Sequence, residues 1–205
     1  MKKAVLFILA PVLLAIWGGY VLFAPGPDIK NAAATGQTII CFGDSLTFGT
    51  GATEGRDYPS RLEAMVGLPV INAGVPGDTT ADALERLEED VLSRSPRMVL
   101  LTLGGNDLKN RVSRETAFEN LRIIIEAIQD AGAMVVIGGI DIPLYGRGFA
   151  DAYRDLARET GSVLIPNVFK DIMGRRDRMS DAIHPNDAGY AVMARWFYEA
   201  IEPYL

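Results

Sequence analysis

One cysteine and one histidine in 205 residues close off a good deal of chemistry. Cys41 has no second cysteine to pair with, so an intrachain disulfide and a cysteine-rich metal site are both excluded. Inside an apolar run it reads as a small buried hydrophobe. His184 is equally alone. A multi-histidine metal centre cannot form, no His-Glu-x-x-His run exists, and any mechanism that needs imidazole must use this residue. Positive charge is also scarce: 20 Lys and Arg stand against 26 Asp and Glu, a formal net charge of −6. No basic run suggests a polyanion groove, so nucleic acid is not an expected partner. Internal repeats and low-complexity tracts are absent. What remains is a chain of ordinary single-domain length, 49% hydrophobic, with ample material for one core.

The N-terminus holds the longest uncharged stretch. Met1-Lys2-Lys3 precedes Ala4 to Ala24, 21 residues without a charge. As a helix this would span about 31 Å, close to the hydrocarbon thickness of a bilayer. Trp17 and Tyr20 sit near its far end, as interfacial aromatics do. Lysines before the span favour a cytoplasmic N-terminus and an exported remainder. The expectation is an uncleaved membrane anchor over 4–24. The alternative is a cleaved signal peptide, followed by secretion. Residues 25–37 read as a linker rich in Pro, Gly and small side chains, leaving 38–205 as the folded domain.

From Thr38 onward strands and helices alternate. Apolar runs at 38–42, 69–72, 98–103, 134–137 and 163–165 read as strands. The uninterrupted run Met98–Leu103 should be central and covered on both faces. Amphipathic stripes mark helices: Leu62, Met65 and Val66 behind Pro59; Leu84, Leu87 and Val91 in one helix opened at Gly77–Thr80; Phe118, Leu121, Ile125 and Ile128, ended by Gly132; Phe149, Tyr153, Leu156 and Ala157; and a last helix over 186–201. This alternation predicts an α/β fold with three layers, α/β/α, around a five-stranded parallel sheet of flavodoxin-like order.

Four clusters fall at or beyond the carboxyl ends of these strands or in the late loop, and a parallel sheet gathers such loops on one rim. Phe42-Gly43-Asp44-Ser45-Leu46-Thr47 ends the first strand with a hydroxyl, making Ser45 a candidate nucleophile. Such an oxygen needs a base and oxyanion donors. His184 can take its proton and return it to a leaving group. Asp181, three residues earlier, can hold the other ring nitrogen. Gly77, the Asn106 amide and the Ser45 N–H are candidate oxyanion donors. Each has a plainer reading: a serine or aspartate that turns the chain, an asparagine or glycine serving loop geometry. Asp44 and Asp78 read as caps or braces rather than catalysts. Leu46, Leu108, Ile142, Pro143, Leu144 and Tyr145 are the apolar residues nearest these loops and form a candidate acyl pocket, or simply pack the rim.

Gly43-Asp44-Ser45-Leu46, Asn72-Ala73-Gly74-Val75-Pro76-Gly77-Asp78-Thr79, Gly104-Gly105-Asn106-Asp107 and Asp181-Ala182-Ile183-His184-Pro185-Asn186 resemble, in order, the four blocks of the SGNH, or GDSL, hydrolase family. The resemblance covers about residues 38–204. Within the family it is nearest the thioesterase I / lysophospholipase / arylesterase group. It implies metal-free and cofactor-free hydrolysis of esters or thioesters through an acyl-enzyme, with Ser45, Asp181 and His184 catalytic and Ser45, Gly77 and Asn106 around the oxyanion. Small-molecule or lipid esters are the implied substrates, and a monomer is expected. Two rivals remain: a carbohydrate O-acetylesterase of the same fold, and a catalytically idle, membrane-tethered binding protein. There is no Gly-x-Ser-x-Gly elbow, which argues against the ordinary α/β-hydrolase arrangement.

Overall fold

In a computed structural model, residues 28–142 and 148–205 are described. Five strands, β1 (Ile39–Gly43), β2 (Val70–Gly74), β3 (Met98–Thr102), β4 (Met134–Gly138) and β5 (Val163–Ile165), form one parallel sheet in the order β2-β1-β3-β4-β5. This is the flavodoxin-like order expected. The three inner strands are buried at every position. A strand covered on both faces has no solvent side, so its sequence is continuously apolar rather than alternating.

Helices flank both faces. On one side α2 (Tyr58–Val66) packs against α8 (Asp187–Ile201), and the Tyr58 ring stacks on Phe197 with centroids 4.7 Å apart. Such a pair adds about 0.5–1.5 kcal/mol beyond its buried area. On the other side, α6 (Arg114–Asp130) lies between α3 (Thr80–Glu85) and α7 (Phe149–Thr160). Phe118 of α6 meets Phe149 and Tyr153 of α7 edge-on, and Asn120 donates to the Thr80 hydroxyl at 3.0 Å.

Three features differ from the sequence reading. The stretch carrying Leu84, Leu87 and Val91 is not one helix. It breaks at Arg86 into α3 and α4 (Leu87–Asp90), followed by a 3₁₀ turn over Leu92–Arg94. Two further short helices, α1 (Ser45–Phe48) and α5 (Gly105–Lys109), lie in what reads as loop. Their few residues carry no detectable apolar period. Finally, part of the segment read as linker is docked: Ile29 packs against the core, and Asn31 Nδ2 donates to the Gln129 and Ala133 carbonyls at 2.7 and 3.0 Å.

Among the described residues, no helix is long and apolar enough to cross a membrane. The proposed anchor, Ala4–Ala24, lies outside them, as do Pro143, Leu144 and Tyr145 of the candidate acyl pocket.

Candidate active site

The sheet order reverses between β1 and β3, and the loops after these two strands therefore diverge to open a crevice. Ser45 emerges from β1 on that rim. Asp44 continues the ladder through its N–H to the Thr102 carbonyl at 3.3 Å. Its Oδ1 then accepts from the Leu46 N–H at 2.9 Å, capping α1. The turn is tight enough to demand glycine before it: a Cβ on Gly43 would lie 2.4 Å from the Thr102 carbonyl oxygen.

The partner residues arrive on a second loop. Asp181 Oδ1 accepts from the Ile183 and His184 N–H groups, each at 2.8 Å. That turn presents Asp181 Oδ2 to His184 Nδ1 at 2.7 Å. Across the ring, His184 Nε2 stands 3.1 Å from Ser45 Oγ, 139 residues away in sequence. The imidazole N–H and the two backbone N–H donors favour the carboxylate, and they hold the Asp181 pKa down at about 2. Asn186 secures the loop from below. Its Oδ1 caps α8 through the Ala188 and Gly189 N–H groups, and its Nδ2 reaches the Asp177 and Met179 carbonyls. Tyr190 OH donates to the Thr50 carbonyl at 2.8 Å, and Asp187 Oδ1 accepts from the Thr53 N–H at 2.8 Å, so the chain just beyond α1 and the start of α8 are joined directly.

The third group surrounds Asn106. Its Nδ2 donates to the Asp78 carbonyl at 2.9 Å and to Asp44 Oδ2 at 3.3 Å. Gly77 is exposed at φ +94° with open space around it, a conformation that L side chains resist. Among the described residues neither the Ser45 nor the Gly77 N–H has a hydrogen-bond partner. Asp107, buried below, accepts from the Thr80 N–H and hydroxyl at 2.9 and 2.7 Å, which joins α5 to α3. Asp44 is almost fully buried, and desolvation pushes its pKa up to about 6 against the opposing pull of the Leu46 N–H. Asp78 pairs with Arg86, Oδ2 to Nε at 2.7 Å.

Leu46 is 5% exposed and belongs to the core, because α1 turns it inward and leaves Ser45 on the rim. Leu108 and Ile142 are half-buried against that core. The exposed large hydrophobics beside the site are instead Phe48, Val75 and Ile183, each within three residues of Ser45, Gly77 or His184. Val75 and Ile183 lie inside two of the four motifs and Phe48 just beyond the first, and the sequence gives no other sign of them. A groove of about 350 Å³ between α6 and α7, lined by residues such as Arg114, Phe118 and Asp155, contains none of the site residues. Among the described residues no cluster of His, Cys, Asp and Glu is arranged to hold a metal ion.

The family model described as GDSL-like lipase/acylhydrolase matches residues 41–192. "Thioesterase 1/protease 1/lysophospholipase L1" of Escherichia coli (strain K12) is 30% identical, over 83% of this chain and 86% of that protein. "Arylesterase" of Vibrio mimicus is 28% identical, over 86% of this chain and 94% of its own length. A solved structure titled "Crystal Structure of TesA" superposes with a TM-score of 0.78 at 26% identity, covering 82% of this chain and all of that one.

Proposed function

Given that the chain belongs to the GDSL-like lipase/acylhydrolase family and is a carboxylic ester hydrolase, we propose that Ser45 is its nucleophile, with His184 as general base and Asp181 as the residue that orients it. The observation that carries this reading is the pair of contacts on one imidazole, 3.1 Å to Ser45 Oγ and 2.7 Å to Asp181 Oδ2. With Nδ1–H donating to the Asp181 carboxylate, Nε2 presents its lone pair to the hydroxyl. Ser45 Oγ attacks the ester carbonyl as its proton passes to Nε2. The tetrahedral oxyanion is held by the N–H groups of Ser45 and Gly77 and by Asn106 Nδ2, which exchanges its longer contact, the one to Asp44, for the substrate. Nε2 returns the proton to the leaving alcohol or thiol. Water then attacks the acyl-enzyme by the same route.

Small-molecule or lipid esters are the substrates. The arylesterase, lysophospholipase and thioesterase reactions all share this chemistry, and the exposed Phe48, Val75 and Ile183 offer an apolar surface for the organic part of the ester. We also infer export, with residues 4–24 as the anchor, from the uncharged stretch behind Lys2 and Lys3. Facing outward, such a site meets lysophospholipids and imported esters rather than cytosolic acyl-CoA.

A fluorophosphonate probe tests the nucleophile. It should label the native protein and leave Ser45→Ala unlabelled; equal labelling of both would end the assignment. A panel of nitrophenyl esters, acyl-CoAs and lysophospholipids then sorts the substrates, and strict acetate preference would favour the carbohydrate O-acetylesterase instead.

A further inference from the structure

Arg86 stands at the break between α3 and α4, with φ −103° and ψ 5°, and its side chain is 17% exposed. Its guanidinium makes four hydrogen bonds. Nε donates to Asp78 Oδ2 at 2.7 Å, Nη1 to the Ala73 carbonyl at 3.0 Å and to Asp90 Oδ2 at 2.7 Å, and Nη2 to the Gly43 carbonyl at 3.0 Å. The guanidinium carbon also lies 4.3 Å over the Phe42 ring. Asp78 and Asp90 flank the half-buried positive charge, so it is not left unpaired.

Three of those four acceptors belong to the segments that carry the oxyanion donors. Gly43 lies two residues before Ser45 at the end of β1. Ala73 lies in β2, at the base of the loop that bears Gly77. Asp78 follows Gly77 directly, and its own carbonyl is the acceptor that Asn106 Nδ2 holds at 2.9 Å. The loop is tied to β1 once more by the Val75 N–H, which donates to the same Gly43 carbonyl at 3.0 Å. A planar guanidinium is the one side chain able to reach three such points in a fixed geometry, whereas an ammonium offers a point charge on a flexible stem. Breaking the helix at Arg86 turns that fork under the ends of β1 and β2.

We propose that Arg86 is a positioning residue for the oxyanion hole, setting the spacing of the Ser45 N–H, the Gly77 N–H and the Asn106 amide without touching substrate. The proposal rests on the assignment of Ser45 as nucleophile. Oxyanion donors act only where the negative charge will form, and a shift of about 1 Å in a reacting geometry can cost about 10²-fold in rate. Loss of Arg86 therefore lowers kcat while substrate binding in the ground state is nearly unchanged.

The test compares the full chain with Arg86→Lys, Arg86→Ala and Ser45→Ala. It measures kcat and KM on a nitrophenyl ester, affinity for an alkylboronic acid that adds to the serine as a tetrahedral anion, and the melting temperature. The expected kcat losses are about 10-fold for Arg86→Lys and about 10²-fold for Arg86→Ala, with KM within about threefold of the native value. Boronate affinity should fall in step with kcat, the acid limb of the pH profile should stay in place, and ethylguanidinium should restore part of the rate of Arg86→Ala. The proposal is overturned if Arg86→Lys keeps native kcat, or if boronate affinity holds while kcat falls. Failure of both Arg86 variants to fold would likewise assign the residue to the scaffold and overturn it. Activity surviving in Ser45→Ala would instead remove the reading of the site beneath it.

Discussion

Asn106 Nδ2 donates to Asp44 Oδ2 at 3.3 Å, joining α5 to the residue before Ser45. Asp44 is a buried acid whose pKa is raised to about 6 by desolvation, with His184, Asp78 and Asp107 the charged neighbours that act on it. The folded state therefore holds the Asp44 proton to a higher pH than the unfolded chain does. The stability this confers is complete below the unfolded value near 4 and is lost as pH rises through about 6. Asp44→Asn removes that loss. Its melting temperature should gain on the native protein as pH goes from 4 to 7, with the gap read from melts at several pH values. Its kcat should nonetheless fall by about 10-fold or more, because an amide there turns an N–H toward Asn106 Nδ2 and pushes that donor away from where it must meet the oxyanion. A variant that loses activity only as it loses stability would contradict this.

Asp181 works in the opposite direction. Its pKa is lowered to about 2 by the His184 ring N–H and two backbone N–H donors. The stability it lends is present above the unfolded value near 4 and fades as pH falls through about 2. For Asp181→Asn the deficit in melting temperature should be greatest at neutral pH and shrink toward pH 2. The kinetic effect is larger. An amide N–H facing Nδ1 selects the wrong imidazole tautomer, and kcat should drop by about 10²-fold or more with KM little changed. Steady-state kinetics at pH 8 decide the point.

The sheet was legible because buried parallel strands must be continuously apolar: Met98–Leu103 reads as central, and β3 is. Ser45, Asp181, His184, Gly77 and Asn106 stood out as residue types whose chemistry needs company, at positions a parallel sheet brings together. Arg86 did not stand out. In the sequence it is one charge among many on an amphipathic stripe, and its value comes from carbonyl oxygens on two strands that no linear pattern reveals. Leu46, which the sequence leaves between pocket lining and packing, shows the same limit in reverse. Nearness to Ser45 in sequence says nothing of which way a four-residue helix turns its side chains, and that leucine lies in the core.

Two glycines, one ending β2 and one in the loop after it, should fail differently. A Cβ on Gly74 would stand 2.1 Å from the Phe48 nitrogen and 2.6 Å from the Thr47 carbonyl carbon. Both are backbone atoms of α1, so that helix must move and Ser45 with it. Gly74→Ala should cost about 1–3 kcal/mol in overpacking and most of the activity. Gly77 has nothing within 4 Å of its Cβ position but sits at φ +94°. Gly77→Ala should cost about 1–2 kcal/mol in backbone strain, relieved by rotating the very N–H assigned to the oxyanion. Denaturant melts with kcat from the same samples separate these effects, and equal, wild-type activity in both would contradict them.

Asn186 offers the sharpest separation of stability from geometry. Its Oδ1 caps α8 at the Ala188 and Gly189 N–H groups, at 2.9 and 3.2 Å. Its Nδ2 donates to the Asp177 and Met179 carbonyls at 3.1 and 3.4 Å, which pins the segment whose Met179 bridges to Pro185. Asn186→Ala loses both, at about 1–2 kcal/mol for the cap alone. Asn186→Asp keeps an oxygen for the cap and adds charge favourable at a helix N-terminus, yet aims a carboxylate at two carbonyl oxygens. The aspartate variant should therefore melt near the native temperature while kcat stays depressed, because the loop that carries Asp181 and His184 has lost its tether. If aspartate restores both properties, the cap alone matters and the Nδ2 contacts hold nothing that catalysis needs.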